Sequence, residues 1–434
     1  MIGTARRAGP ACPRPAARDS LYTPVRVVEL DLARPYELRS PDGRIQPDAG
    51  SDAGVLALVR LHGHPLGLVS STGSAGGHAA LCRALAAAAH RELAVPVPMV
   101  SAVRAPVGTA AATTTPSAAA PLISVVVATR DRPGQLRGCL DSLLRSDYPH
   151  FEVIVVDNAP SSEATRRLIT ARYPGRVRYL REPAAGLARA HNAALPAVRG
   201  ELCAFTDDDT LADRRWLAAL AEAFGQDPRV GCVTGLILAA ELQTPSQLQL
   251  ERLSGFAKGF APLRWSLERP GPDPLFPFTA GKFGSGANMA FRTSTLRRLG
   301  GFDPATGTGT PARGGDDLLA FLRVLAAGHT LVYQPEALIW HHHRRNPEAV
   351  PAQAFGYGAG FGAFMAAAVV HEPRLATALL RRLPRGAALA LQHAARHAAT
   401  APQTPGLGRL ELRGLAYGPV GYLRSRRLAR LIGD

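Results

Sequence analysis

The sequence predicts an α/β protein built on a mostly parallel sheet flanked by helices. Three observations predict it. Between about residues 122 and 345, short apolar runs alternate with helical patterns. Several of those runs are continuous and β-branched, as in strands buried on both faces. Polar clusters follow immediately after three of them, where sheets of this kind bind ligands.

Ile123 to Ala128 reads as the first buried strand. Leu136 to Leu144 follows as a helix, with Leu136, Leu140, Leu143 and Leu144 on one side. Phe151 to Val156 is a second strand ending in Asp157, and Thr165 to Ala171 is helical. Val177 to Leu180 is a third strand and Leu187 to Val198 a helix. Leu202 to Thr206 is a fourth strand, ending in Asp207-Asp208-Asp209. Trp216 to Phe224 is helical and Val230 to Leu238 extended. Alternating strands and helices imply right-handed βαβ units.

The flanks differ in character. Residues 1–20 read as a disordered tail, and 21–100 as a small α+β unit. Its strands are Val25 to Leu30, Val55 to Leu61 and Leu66 to Ser70, and its helix runs from His78 to Leu93. Residues 101–121 are rich in Ala, Thr and Pro with little charge, as in a linker. Residues 346–434 form a helical, basic extension. From 371 onward its many arginines face only Glu372, Glu411 and Asp434. Such a segment suits an anionic membrane surface, and equally a solvated helical tail.

Of 434 residues, 46% are hydrophobic and 19% charged, a globular composition. The formal net charge is +16, and lysine occurs only at Lys258 and Lys282. Arginine dominance of this kind is also what biased codon usage produces. No basic-aromatic stacking pattern or zinc motif points to nucleic acid. Five scattered cysteines without CxxC spacing fit a reducing cytoplasm. The first residues lack the apolar core of a secretory signal. Phe355 to Val370 is Gly-rich and shorter than the ~20 residues of a spanning helix, so no transmembrane helix is expected.

Asp207-Asp208-Asp209 after an apolar strand offers hard oxygen ligands for Mg²⁺ or Mn²⁺ beside substrate phosphates. The same acids suit an Asx turn. Asp316-Asp317 opens a helix after Gly314-Gly315. One of the pair is a candidate general base for a hydroxyl nucleophile; both also complement the helix dipole. His341 and His343 would share one strand face, and one of them can complete the metal site. The loop Gly284, Ser285, Gly286, Ala287, Asn288 allows close backbone approach to a ligand. It is neither a Walker loop nor a dinucleotide fingerprint.

These segments, in this order, resemble family 2 glycosyltransferases, which have the GT-A fold. The resemblance covers about half the chain, from Pro121 to Arg345. It is carried by Thr129-Arg130-Asp131-Arg132-Pro133 after the first strand, by Asp157-Asn158, and by Gly186 to Asn192. Asp207-Asp208-Asp209, Gly284 to Met289, Gly300-Gly301-Phe302-Asp303 and Gly315-Asp316-Asp317 complete it.

The resemblance implies a hexosyltransferase of inverting type, in cell-envelope polysaccharide or glycolipid biosynthesis. A nucleotide-sugar is its donor, and a saccharide or lipid-linked hydroxyl its acceptor. Thr129, Arg130, Asp157, Asn158, Arg189, Asn192, Asp207 and Asp208 are the implied donor-binding residues. Asp207 and Asp209 take the outer positions of the DxD motif, with His341 and His343 as further candidate ligands. Asp317, supported by Asp316, takes the place of the catalytic base, and Gly284, Ser285, Gly286 and Asn288 form the acceptor loop. The family pair is Glu-Asp; here its first acid is one methylene shorter. Relatives often carry Arg at the position of His191, with Arg189 as the substitute here. The implied location is the cytoplasm, at the inner face of the membrane. A nucleotidyltransferase and a non-catalytic sugar-nucleotide binding module are the alternatives.

Overall fold

The computed structural model describes residues 23–46, 54–71, 77–94, 120–400 and 406–432. The tail expected over 1–20, and all but the end of the linker expected over 101–121, lie outside the described residues.

Strands β1 (Val25–Asp31), β2 (Leu38–Arg39), β3 (Gly54–Leu61) and β4 (His64–Ser71) make a small sheet in the order β2-β1-β3-β4. The pair β1–β3 is parallel and the others are antiparallel. Alternation along these strands gives the sheet two apolar faces. Val28, Leu30 and Val59 meet Leu81 and Leu85 of helix α1 (Gly77–Leu93). Val25, Val27, Leu56 and Leu58 point the other way, into the rest of the chain.

The rest begins with β5 (Ile123–Thr129), α2 (Pro133–Leu143), β6 (Phe151–Asn158), α3 (Ala164–Arg172), β7 (Val177–Glu182), α4 (Leu187–Ala194) and β8 (Leu202–Asp207). These strands lie parallel in the order β7-β6-β5-β8. Burial on both faces is visible in β5: Val125 and Val127 pack with Leu136 and Leu140 of α2, and Val126 packs with Phe205 on the opposite side. The helix expected over 187–198 stops at Ala194. It tightens into a 3₁₀ turn over Leu195–Ala197, where Pro196 cannot donate.

The sheet continues through β9 (Thr210–Ala212), α5 (Trp216–Gly225), β10 (Val230–Ala239), α6 (Pro245–Ser254), β11 (Leu263–Trp265), β12 (Asn288–Arg292), α7 (Thr293–Arg298), α8 (Asp316–Ala326) and β13 (Thr330–His341). Strand β12 lies between β8 and β10, antiparallel to both, and β13 runs parallel to β10. The large sheet is therefore parallel over its first half and mixed over its second. Helices cover both faces, each over its own apolar cluster.

Helices α9 (Ala349–His371), α10 (Pro373–Thr400) and α11 (Leu407–Ile432) close the chain. The glycines of 355–370 do not shorten α9, which runs for 23 residues. By length and composition it can cross a membrane, yet half of its most apolar window is buried inside the protein. It packs Ala363, Phe364 and Ala367 into the same cluster as Phe321 and Leu322 of α8.

Candidate active site

The register of the large sheet assembles the site. Thr129 pairs with Asp157, and Ala128 with Asp207, so three strand ends share one rim. Asn288, at the start of β12, pairs with Thr206, which brings the loop 284–287 to the same rim. His341, at the end of β13, pairs with Thr210 of β9. The His342 N–H donates to the Asp209 carbonyl over 2.9 Å. Two residues far apart in sequence thereby become neighbours.

Carboxylate oxygens of Asp207 and Asp209 and a ring nitrogen of His341 lie within 4.8 Å of one another. His341 Nε2 is 3.3 Å from Asp209 Oδ1, yet that oxygen is buried and has no aligned hydrogen-bond partner among the described residues. Two acids and an imidazole converging on one point, with an oxygen left over, fit a divalent cation. Burial pushes the Asp207 carboxyl up, and the charge on Asp209 adds to this. Burial also acts against the Asp209 carboxylate, but His341 and Arg132 outweigh it and hold it below the usual range. His341 shows the reciprocal effect: burial lowers it, and Asp209 and Asp207 together raise it.

Asp208 turns away from this point. Its Oδ2 accepts from Thr129 Oγ1 at 2.7 Å and its Oδ1 from Arg132 at 3.3 Å. Arg132 also lies 3.6 Å from Asp209 Oδ2. Sequence reasoning missed Arg132, although its place just ahead of Pro133 at the start of α2 was visible. Arg130 is exposed at the rim.

Asp157 is fully buried; its Oδ2 accepts from Tyr179 Oη at 3.0 Å, and its Oδ1 has no partner among the described residues. Burial raises this carboxyl too.

Three asparagines have both ends of their amides engaged by other groups of the chain. Asn158 donates to the Ala184 carbonyl and accepts from the Gly186 N–H. Asn192 donates to the Phe302 carbonyl at 2.7 Å and accepts from the Phe302 N–H at 2.8 Å. Asn288 is fully buried. It accepts from Trp216 Nε1 at 2.8 Å and donates to the carbonyls of Leu236 and Ala337. These amides hold turns and strands together. Arg189 is buried on α4, and His191 lies in the core between Phe205 and Phe302, where burial drives its pKa down to about 3.

The second acidic pair starts α8. Asp317 Oδ2 accepts from the Gly286 N–H at 2.8 Å and Oδ1 from the Leu318 N–H at 2.8 Å. A Cβ on Gly286 would lie 3.3 Å from Asp317 Cβ, so glycine permits this approach. Gly284 faces Thr234 at φ +149°, and the Ser285 carbonyl accepts from the Asn288 N–H. Burial raises both carboxyls of the pair; Asp317 and Asp207 raise Asp316 further.

His343 does not join His341 on the acidic cluster. The strand ends at His341, and His343 Nε2 is instead 2.9 Å from Glu251 of α6, with Phe256 stacked on its ring. Past Phe256, Lys258 sits close enough to Asp317 for the two charges to act on each other. Burial pulls its ammonium down to about 8 against that partner. The rarity of lysine in this chain was the one available signal for it.

The chain is similar to known proteins over its central part. The family described as Glycosyltransferase like family 2 matches residues 120–355. An O-antigen biosynthesis protein, RfbC, of Myxococcus xanthus is 29% identical over 53% of this chain and 18% of its own length. A pre-mycofactocin glycosyltransferase of Mycobacterium tuberculosis is 28% identical over 51% of this chain and 43% of its own. The chain thus spans less than half the length of these curated relatives. A solved structure of the mannosyltransferase PcManGT from Pyrobaculum calidifontis, in complex with GDP-Man and Mn²⁺, is 22% identical. It covers 72% of this chain and 88% of its own, with a TM-score of 0.44.

Proposed function

This chain belongs to the glycosyltransferase-like family 2, and on that footing we propose that it transfers a hexosyl unit from a nucleotide-sugar to an acceptor hydroxyl, with inversion. The observation that carries the reading is the convergence of Asp207, Asp209 and His341 on one rim with Asp317. Asp207, Asp209 and His341 would hold Mg²⁺ or Mn²⁺. When bound there, a divalent cation offsets the charge that develops on the leaving diphosphate.

The chain's own residues carry the rest. The unpartnered Oδ1 of Asp157 is suited to accept from an N–H of the donor base. Thr129 and Arg132 keep Asp208 turned from the cation, so the outer two acids face it. Asp317 accepts the proton of the attacking hydroxyl as its oxygen bonds to the anomeric carbon and the bond to the diphosphate breaks. Backbone N–H groups of Gly286 and Leu318 fix that carboxylate's orientation, and general-base help of this kind contributes roughly 10²- to 10⁴-fold.

Calorimetry with UDP-, GDP- and dTDP-sugars, each with Mn²⁺ and with EDTA, tests the reading. One donor is expected to bind only with the metal. Asp209→Ala should lose that binding, and Asp317→Ala should keep it while losing turnover. Release of pyrophosphate instead of a nucleoside diphosphate would replace this reading with nucleotidyl transfer. Near-normal turnover by folded Asp317→Ala would remove the base assignment.

Peripheral attachment at the cytoplasmic face of an anionic membrane, near a lipid-linked or saccharide acceptor of envelope biosynthesis, belongs to the same proposal. Exposed Arg409, Arg413, Arg424, Arg427 and Arg430 alternate on α11 with exposed Val420, Leu423, Leu428 and Leu431. Flotation with anionic vesicles should lift the full chain and leave behind one in which these five arginines are glutamine. Equal flotation of both would sink the idea.

A further inference from the structure

Helix α9 carries Gly356, Gly358, Gly360 and Gly362 at alternate positions. Each glycine inside a helix costs about 1 kcal/mol relative to alanine, so such density calls for a packing reason. The structure supplies one for Gly358, Gly360 and Gly362, on two sides of the helix, while Gly356 faces open space. Toward α11, a Cβ on Gly362 would lie 2.3 Å from the Leu415 carbonyl, and on Gly414 2.2 Å from the Phe355 carbonyl. Gly358 and Gly418 are equally closed, so the two helices meet backbone to backbone.

The other side of α9 meets the turn that introduces the acidic pair. Gly360 is pressed on Gly314, with a Cβ there only 3.0 Å from Gly314 Cα. Gly315, at φ +88°, would bring a Cβ to 2.5 Å from the Gly360 carbonyl. Gly315 is the residue from which α8 starts, and Asp316 and Asp317 are its first turn.

Helix α11 grips the same segment further upstream. A Cβ on Gly421 would lie 2.7 Å from the Pro311 carbonyl. Tyr422 Oη donates to Asp303 Oδ2 at 2.9 Å, and His371 Nε2, at the end of α9, lies 2.8 Å from the same oxygen. Burial acts against the Asp303 carboxylate, but His371, the Ala305 N–H and Tyr422 hold it below the usual range. The Arg313 guanidinium lies 5.2 Å from the centroid of the Phe355 ring of α9. Within 303–315 the chain closes on itself through the Gly307 N–H and the Gly314 carbonyl. The segment is therefore held at 303, 311, 313 and 314–315, by two helices that are themselves locked together.

We infer that α9 and α11 form the clamp that sets the position of Asp317, with Tyr422 and His371 as positioning residues acting through Asp303. The inference rests on the proposed role of Asp317. The grips of these helices fall on 303–315 and not on the groups assigned to the donor or metal, though Tyr357 of α9 lies near enough to Asp207 to feel its charge. Their effect therefore falls on turnover more than on donor affinity, because displacing a reacting group by about 1 Å can cost roughly 10²-fold.

The test uses full-length Tyr422→Phe, Gly360→Ala and Asp317→Asn beside the unaltered chain. Hydrogen exchange on the protein alone reads the turn. In the first two variants, amides of 311–318 are expected to exchange at least about tenfold faster, with β5 and β8 unchanged. Turnover is read as Mn²⁺-dependent nucleoside diphosphate release from whichever of UDP-glucose, GDP-mannose and dTDP-rhamnose the unaltered chain uses fastest. There kcat should fall roughly 10- to 100-fold, with donor KM within about twofold. Unchanged exchange at 311–318 overturns the clamp, as does faster exchange everywhere, which marks general loosening. A normal kcat in Tyr422→Phe and Gly360→Ala, with Asp317→Asn inactive, overturns the clamp alone. Normal turnover in Asp317→Asn overturns the base reading, and the clamp's function with it.

Discussion

Replacing Asn288 by alanine distinguishes a pillar of the fold from a binding residue. The pairing of β10 with β13 skips between Gly235 and Leu236: their partners are Gln334 and Leu338, so 335–337 bulge out of the ladder. The Asn288 amide fills that gap by donating to the Leu236 and Ala337 carbonyls, and it caps the indole N–H of Trp216. Alanine leaves one buried donor and two buried acceptors each short of a bond. At about 1–3 kcal/mol for each group left unsatisfied, and with carbonyls able to lean on remaining neighbours, the loss is roughly 3–5 kcal/mol. That is a large share of the 5–15 kcal/mol by which a domain is typically stable. With a urea m-value of about 3 kcal/mol per molar, the midpoint should fall by roughly 1 M or more. Equilibrium unfolding followed by tryptophan fluorescence, which Trp216 itself reports, measures this. A midpoint unmoved within about 0.2 M, together with lost turnover, would refute the structural role and return Asn288 to the acceptor site.

Further outcomes follow from the same geometry. His341→Ala should weaken Mn²⁺ binding by one to two orders of magnitude in calorimetry. His343→Ala should leave that affinity alone and lower stability by about 1–3 kcal/mol, because the buried Glu251 loses a hydrogen bond. His191 is held neutral down to about pH 3 in the fold and titrates near 6.5 in the unfolded chain, so the unfolded state binds more protons between those values. Stability should therefore fall as pH drops below 6.5, by about 2 kcal/mol between pH 6.5 and 5. His191→Leu, compared by urea midpoint at the two pH values, should lose that component of the acid sensitivity. Arg60→Ala should destabilise by roughly 3–5 kcal/mol, since Arg60 sits buried between Glu29 and Asp213 at 2.6 Å from each. A shift in melting temperature of less than 2 °C would count against it.

The strands and the rim acids were legible because they depend on local pattern: continuous β-branched runs, and acids placed where those runs end. The amides were not. Asn192 and Phe302, or Asn288 and Leu236, are far apart in the chain, and nothing in a motif says whether an amide will meet a ligand or a backbone carbonyl. His341 and His343 were two residues apart on an expected strand face, but the strand stops at the first of them, and the second is drawn away by Glu251. The Gly-rich run 355–370 reads from sequence as too short to span a membrane, yet it lies in a helix of 23 residues. At Gly358, Gly360 and Gly362 the glycines are accommodated because α11 and the turn before α8 come so close that no side chain fits.

The N-terminal sheet bears on where this protein can be cut. A family boundary drawn at residue 120 suggests a separable catalytic unit beginning there. Yet Val25 pairs with Leu242, and Val25, Val27, Leu56 and Leu58 share one apolar cluster with Leu211, Leu236, Leu238 and Trp340. Leu211 lies two residues after Asp209, and Trp340 immediately precedes His341. A version trimmed to the family limits would expose to water the apolar wall directly behind the strand ends that carry Asp209 and His341. Expression designs, and any grafting of this catalytic unit onto another protein, should carry the first sheet along with it.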